Sequence, residues 1–262
     1  MAPPTVTLTF DNGPTPGVTD RVLDVLAARR LLATFFVVGN RLARPGARAL
    51  AERAVAEGHW IGNHSATHRT ALGSLDDPAA IDAEIDDCER LLDGLRHADR
   101  LFRPFGNGGA IDDRMLGAHA VGRLVDGGYT CVLWSSVPHD WDDPTGWVSR
   151  AVDDVVATDH TVLVLHDTPG ACVDRLDELL DLLTELGVTF EQSFPDSCVP
   201  LRRGVPTSSW GTFGVRALAP DLYASEPFWA AAEAAAKAET SAQRAERRHA
   251  EADVDRWMDG LR

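Results

Sequence analysis

The chain has 262 residues, of which 44% are hydrophobic and 25% are charged, and its formal net charge is −15 at pH 7. This length is enough for one large α/β domain, alone or with an appendage. The negative charge disfavours nucleic acid and an anionic membrane surface as partners, because the phosphates of both would be repelled.

Short apolar runs alternate with stretches of helical periodicity as far as residue 190. The pattern predicts strands at residues 6–10, 33–38, 59–63, 101–103, 129–134, 161–165 and 188–190. It predicts helices at residues 18–31, 47–57, 79–95, 112–126, 145–157 and 173–186. Strands that alternate with helices in this way are typical of a parallel sheet with crossover helices.

The sheet is either open and doubly wound or closed into a barrel. No glycine-rich dinucleotide fingerprint follows the first strand, which argues against a Rossmann-type sheet. Polar residues of chemical interest follow five of the strands, and a barrel gathers several strand ends around one mouth. We therefore predict a barrel for residues 1–198.

The composition changes at residue 199. Residues 200–220 are rich in Gly, Pro and Ser and predict a loop, whereas the chain beyond residue 226 is rich in Ala, Glu and Arg and predicts a solvated helix. We expect this extension, 199–262, to pack on the barrel or on a second subunit of a homo-oligomer. Since the first residues lack the features of a signal peptide, we expect a cytoplasmic location.

Two histidines four residues apart, His64 and His68, are the strongest chemical signal. Imidazoles at this spacing can face one metal ion, and histidine is the commonest ligand of catalytic transition metals. The alternative is a pair of hydrogen-bonded polar residues at a strand end. Four further motifs close other apolar runs: Asp11-Asn12-Gly13-Pro14, Arg103-Pro104-Phe105-Gly106, Asp140-Trp141 and Leu165-His166-Asp167.

Together these five motifs resemble those of the NodB-type polysaccharide deacetylases, carbohydrate esterase family 4, over about residues 5–195. The resemblance implies a distorted seven-stranded (β/α) barrel. It also implies hydrolysis of N-acetyl groups on sugars such as chitin, chitooligosaccharides and peptidoglycan. A divalent metal would assist, with Zn²⁺ expected first and Co²⁺, Ni²⁺ or Mn²⁺ as the other candidates.

The resemblance also implies roles for individual residues. The expected metal ligands are His64, His68 and Asn12. The expected catalytic residues are Asp11 as general base, Arg103 to orient Asp11, His166 as general acid and Asp140 to orient His166. The expected substrate contacts are the backbone N–H of Phe105 to the oxyanion, Trp141 in the groove, and Leu165 around the acetyl methyl group.

The sequence departs from the family pattern at three positions. Asn12 replaces a metal-binding Asp, and some relatives that act on muramic residues share this change. Val137 replaces an acidic residue in the fourth motif, and Phe105 replaces a Tyr. Two other functions stay open: a deacylase or amidohydrolase of a small cytoplasmic amide, and a non-catalytic carbohydrate-binding protein on the same fold. An acid and a base are not needed for binding alone, which argues against the latter.

Overall fold

The computed structural model of the chain describes residues 3–106, 108–111 and 114–210. Within them the strands are β1 (Thr5–Asp11), β2 (Thr34–Val37), β3 (Trp60–Asn63), β4 (Leu101–Phe102), β5 (Thr130–Cys131), β6 (His160–His166), β7 (Thr189–Phe190), β8 (Leu201–Arg202) and β9 (Val205–Pro206). The α-helices are α1 (Thr19–Arg29), α2 (Gly39–Leu42), α3 (Ala47–Ala56), α4 (Pro78–Leu91), α5 (Ala118–Asp126), α6 (Trp147–Val156) and α7 (Leu176–Glu185).

The strands form one curled sheet in the order β6-β1-β2-β3-β4-β5-β8-β9. From β6 to β5 all neighbours are parallel. β7 pairs with the first residues of β1, ahead of the point where β2 joins that strand. A parallel bridge between Ser136 and Leu163 links the chain after β5 back to β6. The predicted distorted (β/α) barrel is confirmed.

Strand β1 shows how the sequence places the site. Its apolar residues Val6, Leu8 and Phe10 alternate with Thr7, Thr9 and Asp11, so the two sets point to opposite faces. The apolar set packs with helices α1, α6 and α7 in the main hydrophobic core. Asp11 therefore points into the barrel, at the carboxyl end of the strand.

Helix α2 was not predicted, α5 begins at Ala118 and not at residue 112, and the sheet differs from the sequence-based prediction in two places. The fifth strand ends at Cys131 and not at residue 134, because the side chain of Arg103 occupies the carbonyl groups of Val132 and Leu133. The loop predicted from residue 200 contains the β8–β9 hairpin, which pairs antiparallel with β5.

The predicted C-terminal helix and its contact with a second subunit lie outside the described residues. They remain predictions, as does the domain boundary at residue 198. In the part of the chain that the structure describes, none of the helices has the length and hydropathy that crossing a membrane requires.

Candidate active site

A cavity of about 470 Å³ opens at the carboxyl ends of the parallel strands. Most of the predicted site residues line it: Asp11, Asn12, His64, His68, Phe105, Trp141 and His166. Arg103 and Asp140 are fully buried behind this wall. Arg103 forms an ion pair with Asp11, and Asp140 contacts the ring nitrogen of His166. Leu165 does not line the cavity either, and its side chain packs in the main hydrophobic core.

A buried ion pair orients Asp11. Arg103 Nη1 lies 2.9 Å from Asp11 Oδ1, and the same nitrogen donates to Thr9 Oγ1 at 2.7 Å. The guanidinium also lies 4.0 Å from the centre of the Phe36 ring, an arrangement that attracts a cation to the aromatic face. Burial lowers the pKa of Arg103, and the charge of Asp11 opposes that shift. Asp11 Oδ2 remains directed towards His64, whose Nε2 is 3.6 Å away.

The two predicted ligand imidazoles share one wall of the cavity, with ring centres 4.8 Å apart. His64 Nδ1 lies 2.8 Å from the carbonyl oxygen of Arg103, so Nδ1 carries the proton and Nε2 keeps its lone pair. Burial lowers the pKa of His64, and burial together with His64 lowers the pKa of His68 to about 3. Both rings are therefore neutral at pH 7, the form that binds a metal.

Asn12 supplies an oxygen to the same wall. Its backbone has φ of 77°, a conformation that Asn tolerates better than most residues, and its N–H donates to the carbonyl of Phe36 at 3.2 Å. Its Oδ1 is buried without a hydrogen-bond partner. Among the described residues no three His, Cys, Asp or Glu side chains are grouped to bind a metal. The two imidazoles and this amide oxygen line the same cavity and are the candidate donors for a metal.

His166 stands beside Asp11 because their Cα atoms are partners in the β1–β6 register. Its Nδ1 lies 2.7 Å from Asp140 Oδ1. The other oxygen of Asp140 accepts from the backbone N–H groups of His166, at 2.8 Å, and Cys172, at 3.1 Å. Burial lowers the pKa of His166, but the hydrogen bond and charge of Asp140 outweigh burial, and the net shift is upwards. His166 is thereby suited to donate a proton from Nε2.

This arrangement predicts a pH effect of Asp140→Asn. Since the pKa of His166 is raised, the proton donor is lost only as pH rises through that raised value. Asn keeps the shape but removes the charge, while burial remains, so the pKa of His166 should fall and the alkaline limb of the kcat/KM profile should move to lower pH. The profile should be measured beside that of Asp142→Asn, an exposed neighbour that approaches His139 instead. An unmoved alkaline limb in Asp140→Asn would contradict the assignment of His166 as the acid.

Of the three residues predicted to contact substrate, Phe105 and Trp141 line the cavity and Leu165 does not. Phe105 lines the cavity, and its backbone N–H donates to no group in the described part of the chain. Trp141 lines the cavity and is 38% exposed; its ring centre lies 4.6 Å from that of His166, nearly perpendicular to it, and 4.6 Å from that of His139. Leu165 lies in the core between sheet and helices, and Val164 lines the cavity instead. Residues on one face of a strand are two apart, so the neighbour of His166 on its own face is Val164.

Sequence reasoning also missed Arg41 and Thr168, which line the cavity. Arg41 follows β2 and Thr168 follows β6, at the same edge of the sheet as the predicted residues. The signal was available, because residues after the carboxyl ends of parallel strands meet at one mouth. Neither residue belongs to one of the five motifs, so motif matching does not predict them.

A carboxylate held by an arginine, an imidazole held by a second carboxylate, and two neutral imidazoles around one cavity form the site of a hydrolase. Comparison with known proteins identifies the family. A polysaccharide deacetylase family model matches residues 1–121. The peptidoglycan-N-acetylglucosamine deacetylase of Bacillus cereus is 34% identical over 185 residues, covering 69% of this chain and 81% of the relative. The chain belongs to the polysaccharide deacetylase family.

Two other proteins extend the likeness. A chitooligosaccharide deacetylase of Rhizobium leguminosarum bv. trifolii is 34% identical over 165 residues, covering 61% of this chain and 70% of the relative. A family 4 carbohydrate esterase from Streptomyces lividans, solved in complex with acetate, is 26% identical with a TM-score of 0.62, covering 76% of this chain and 97% of that one.

Proposed function

We propose that the protein hydrolyses the N-acetyl group of an amino sugar in an oligosaccharide or polysaccharide, releasing acetate and a free amine. The observation that carries the proposal is the pairing of Asp11 with His166 across β1 and β6, each fixed by its own buried partner, beside two neutral imidazoles. Relatives named as peptidoglycan and chitooligosaccharide deacetylases support the same substrate class.

Each of the site residues has a separate role in amide hydrolysis. Asp11 accepts a proton from the attacking water, and Arg103 keeps the carboxylate aimed at it. The N–H of Phe105 donates to the oxygen that becomes negative when water adds to the carbonyl. His166 protonates the nitrogen of the leaving amine, and Asp140 stabilises the imidazolium before that transfer. Water adds, the C–N bond breaks, and acetate and amine leave.

We propose Zn²⁺ as the metal, held by His64, His68 and Asn12. Two imidazoles and one oxygen, with positions left over for water and substrate, suit zinc in a catalytic site. When bound, the metal polarises the amide carbonyl and lowers the pKa of water. The unpartnered Oδ1 of Asn12 supports this set, because a buried oxygen without a donor costs free energy unless a cation or donor meets it.

The substitution Asn12→Asp is expected to tighten Zn²⁺ binding on the order of tenfold or more. A carboxylate adds a full negative charge where the amide offers a dipole, and each 1.4 kcal/mol gained is tenfold in affinity. Asp also tolerates the positive φ at this position, so the turn should be kept. Competition with a zinc chelator measures the affinity, and His64→Ala/His68→Ala is the control that should lose the site. Equal or weaker binding by Asn12→Asp would show that this side chain does not face the metal.

Acetate release tests the function as a whole. The zinc-loaded protein should release acetate from chitooligosaccharides or peptidoglycan fragments, and chelation should stop the reaction. Small N-acyl amides are the third class of substrate to be tested. Turnover of these amides with no acetate from either sugar class would favour the alternative, a deacylase of a small metabolite. Binding of the sugars with no acetate from any substrate would favour a carbohydrate-binding protein.

A further inference from the structure

Arg41 is a cation of the cavity wall that the hydrolytic site does not use. It lines the cavity with Asn12, His64 and His68. Its side chain makes no hydrogen bond or ion pair with any residue that the structure describes. Arginines elsewhere in the described chain commonly contact a carboxylate, as Arg53 contacts Asp24 and Arg103 contacts Asp11.

The backbone that carries Arg41 is fixed to the loop of the two histidines. Helix α2 begins directly after β2, and the N–H of Gly39 donates to the carbonyl of Ser65 at 3.0 Å. The N–H of Asn40 donates to the carbonyl of Ala66 at 2.8 Å. These hydrogen bonds fix the backbone of Arg41 beside the loop that carries His64 and His68.

The charges around the cavity leave Arg41 uncompensated. Asp11 is the one carboxylate among the described lining residues, and Arg103 already neutralises it. Asn12, another lining residue, carries no charge. The whole chain carries −15, so its long-range field repels an anionic substrate, and a local cation is needed to hold one. A guanidinium presents two parallel N–H groups that match the two oxygens of a carboxylate.

We propose that Arg41 binds a carboxylate on the sugar substrate and so selects acidic amino-sugar units over neutral ones. This inference rests on the proposed function and adds to it the charge of the substrate. The carboxylate comes either from the acetylated sugar itself or from the sugar next to it.

Three matched disaccharides measure the contribution of the carboxylate to binding. The first is a disaccharide of N-acetylglucosamine and N-acetylmuramic acid, the second is its methyl ester, and the third is a disaccharide of N-acetylglucosamine and glucuronic acid. Kinetics of acetate release give kcat and KM for each. Calorimetric titration with the deacetylated forms gives Kd without turnover. The proteins are the unmodified chain, Arg41→Gln and Arg44→Gln, the last being a control at an exposed arginine near the end of α2 that does not line the cavity.

Arg41→Gln should raise Kd and KM for the acid about tenfold or more, leave the ester unchanged, and alter kcat little, because a hydrogen-bonded ion pair is lost. Arg44→Gln should change none of these values. Tighter binding of the glucuronate disaccharide than of the muramic one would support the proposal and assign the carboxylate to the neighbouring sugar. Equal affinity of the unmodified chain for acid and ester, or equal weakening of both by Arg41→Gln, would overturn it. The failure of the proposed function is distinct: the titrations would show carboxylate dependence while no substrate released acetate.

Discussion

Removing the acid and removing the base should each lower kcat about 10²–10⁴-fold, the usual contribution of a positioned proton-transfer group, but with different effects on stability. His166→Ala should lower the free energy of unfolding by less than Asp11→Asn, because water from the cavity that His166 lines can reach Asp140 Oδ1 once the imidazole is gone. The carboxylate of Asp140 keeps two backbone N–H donors, from residue 166 itself and from Cys172, and neither depends on the imidazole.

Asp11→Asn should lose turnover and stability together. Arg103 is fully buried, and its ion pair with Asp11 would be broken, which costs up to about 3–5 kcal/mol when one partner of a buried pair is removed. The amide oxygen of Asn still accepts from the guanidinium, so the loss should fall at the lower end. Initial rates with bound zinc, together with denaturant unfolding of both variants, are the measurements. Near-normal turnover in either variant would refute the role assigned to the residue that it replaces. Equal losses in the free energy of unfolding would refute the expected difference in stability between the two variants.

Gly13→Ala should be among the most damaging small substitutions in the chain. A Cβ at this position would lie 1.9 Å from Asp167 Oδ2 and 2.3 Å from Asp167 Cγ. The carboxyl group cannot move aside easily, because it is buried and Thr19 Oγ1 donates to its Oδ2 at 2.6 Å. Burial also raises the pKa of Asp167 to about 6. We expect a loss of about 1–3 kcal/mol or more from overpacking, and a fall in activity because Gly13 follows Asp11 and Asn12.

A double-mutant cycle with Asp167→Ala tests the cause. Asp167→Ala removes the clashing atoms, so Gly13→Ala should cost less in that background than in the unmodified chain. The matched control is Gly122→Ala in helix α5, where an added Cβ meets nothing within 4 Å and should stabilise the helix by about 0.5–1 kcal/mol. Equal costs of Gly13→Ala in both backgrounds would show that the strain has another source.

The sequence predicted the parts of the site that depend on local patterns. Asp11 ends the alternating strand β1 and His166 ends the apolar strand β6, and a polar residue that closes such a run marks the end of a strand well. The prediction for Leu165 was wrong because the two-residue period of the strand turns this side chain to the core and Val164 to the cavity. The length of β5 was overestimated because a side chain from a distant motif, that of Arg103, takes its carbonyl groups. Such a contact spans about thirty residues and leaves no trace in local periodicity.

The register of the barrel was equally invisible in the sequence. Period and spacing identify the strands, but they do not say that Asp11 and His166 become lateral partners, because this depends on β1 lying next to β6. The pairing of β7 with the start of β1 is a similar case. Motif order placed these residues at one mouth, and only the structure shows which of them touch.

The β8–β9 hairpin has a consequence for solubility. Without the hairpin, the main-chain groups of Thr130 and Cys131 on that side of the sheet would be free to pair with a strand of another molecule, which can start aggregation. The hairpin covers β5 and makes β9, which contains Pro206, the edge strand on this side of the sheet within the described residues. Proline has no N–H to donate, so β9 is a poorer template for an added strand than β5, in which both residues have an N–H. A chain cut just before Leu201 would uncover β5 and should precipitate at lower concentrations than the intact protein.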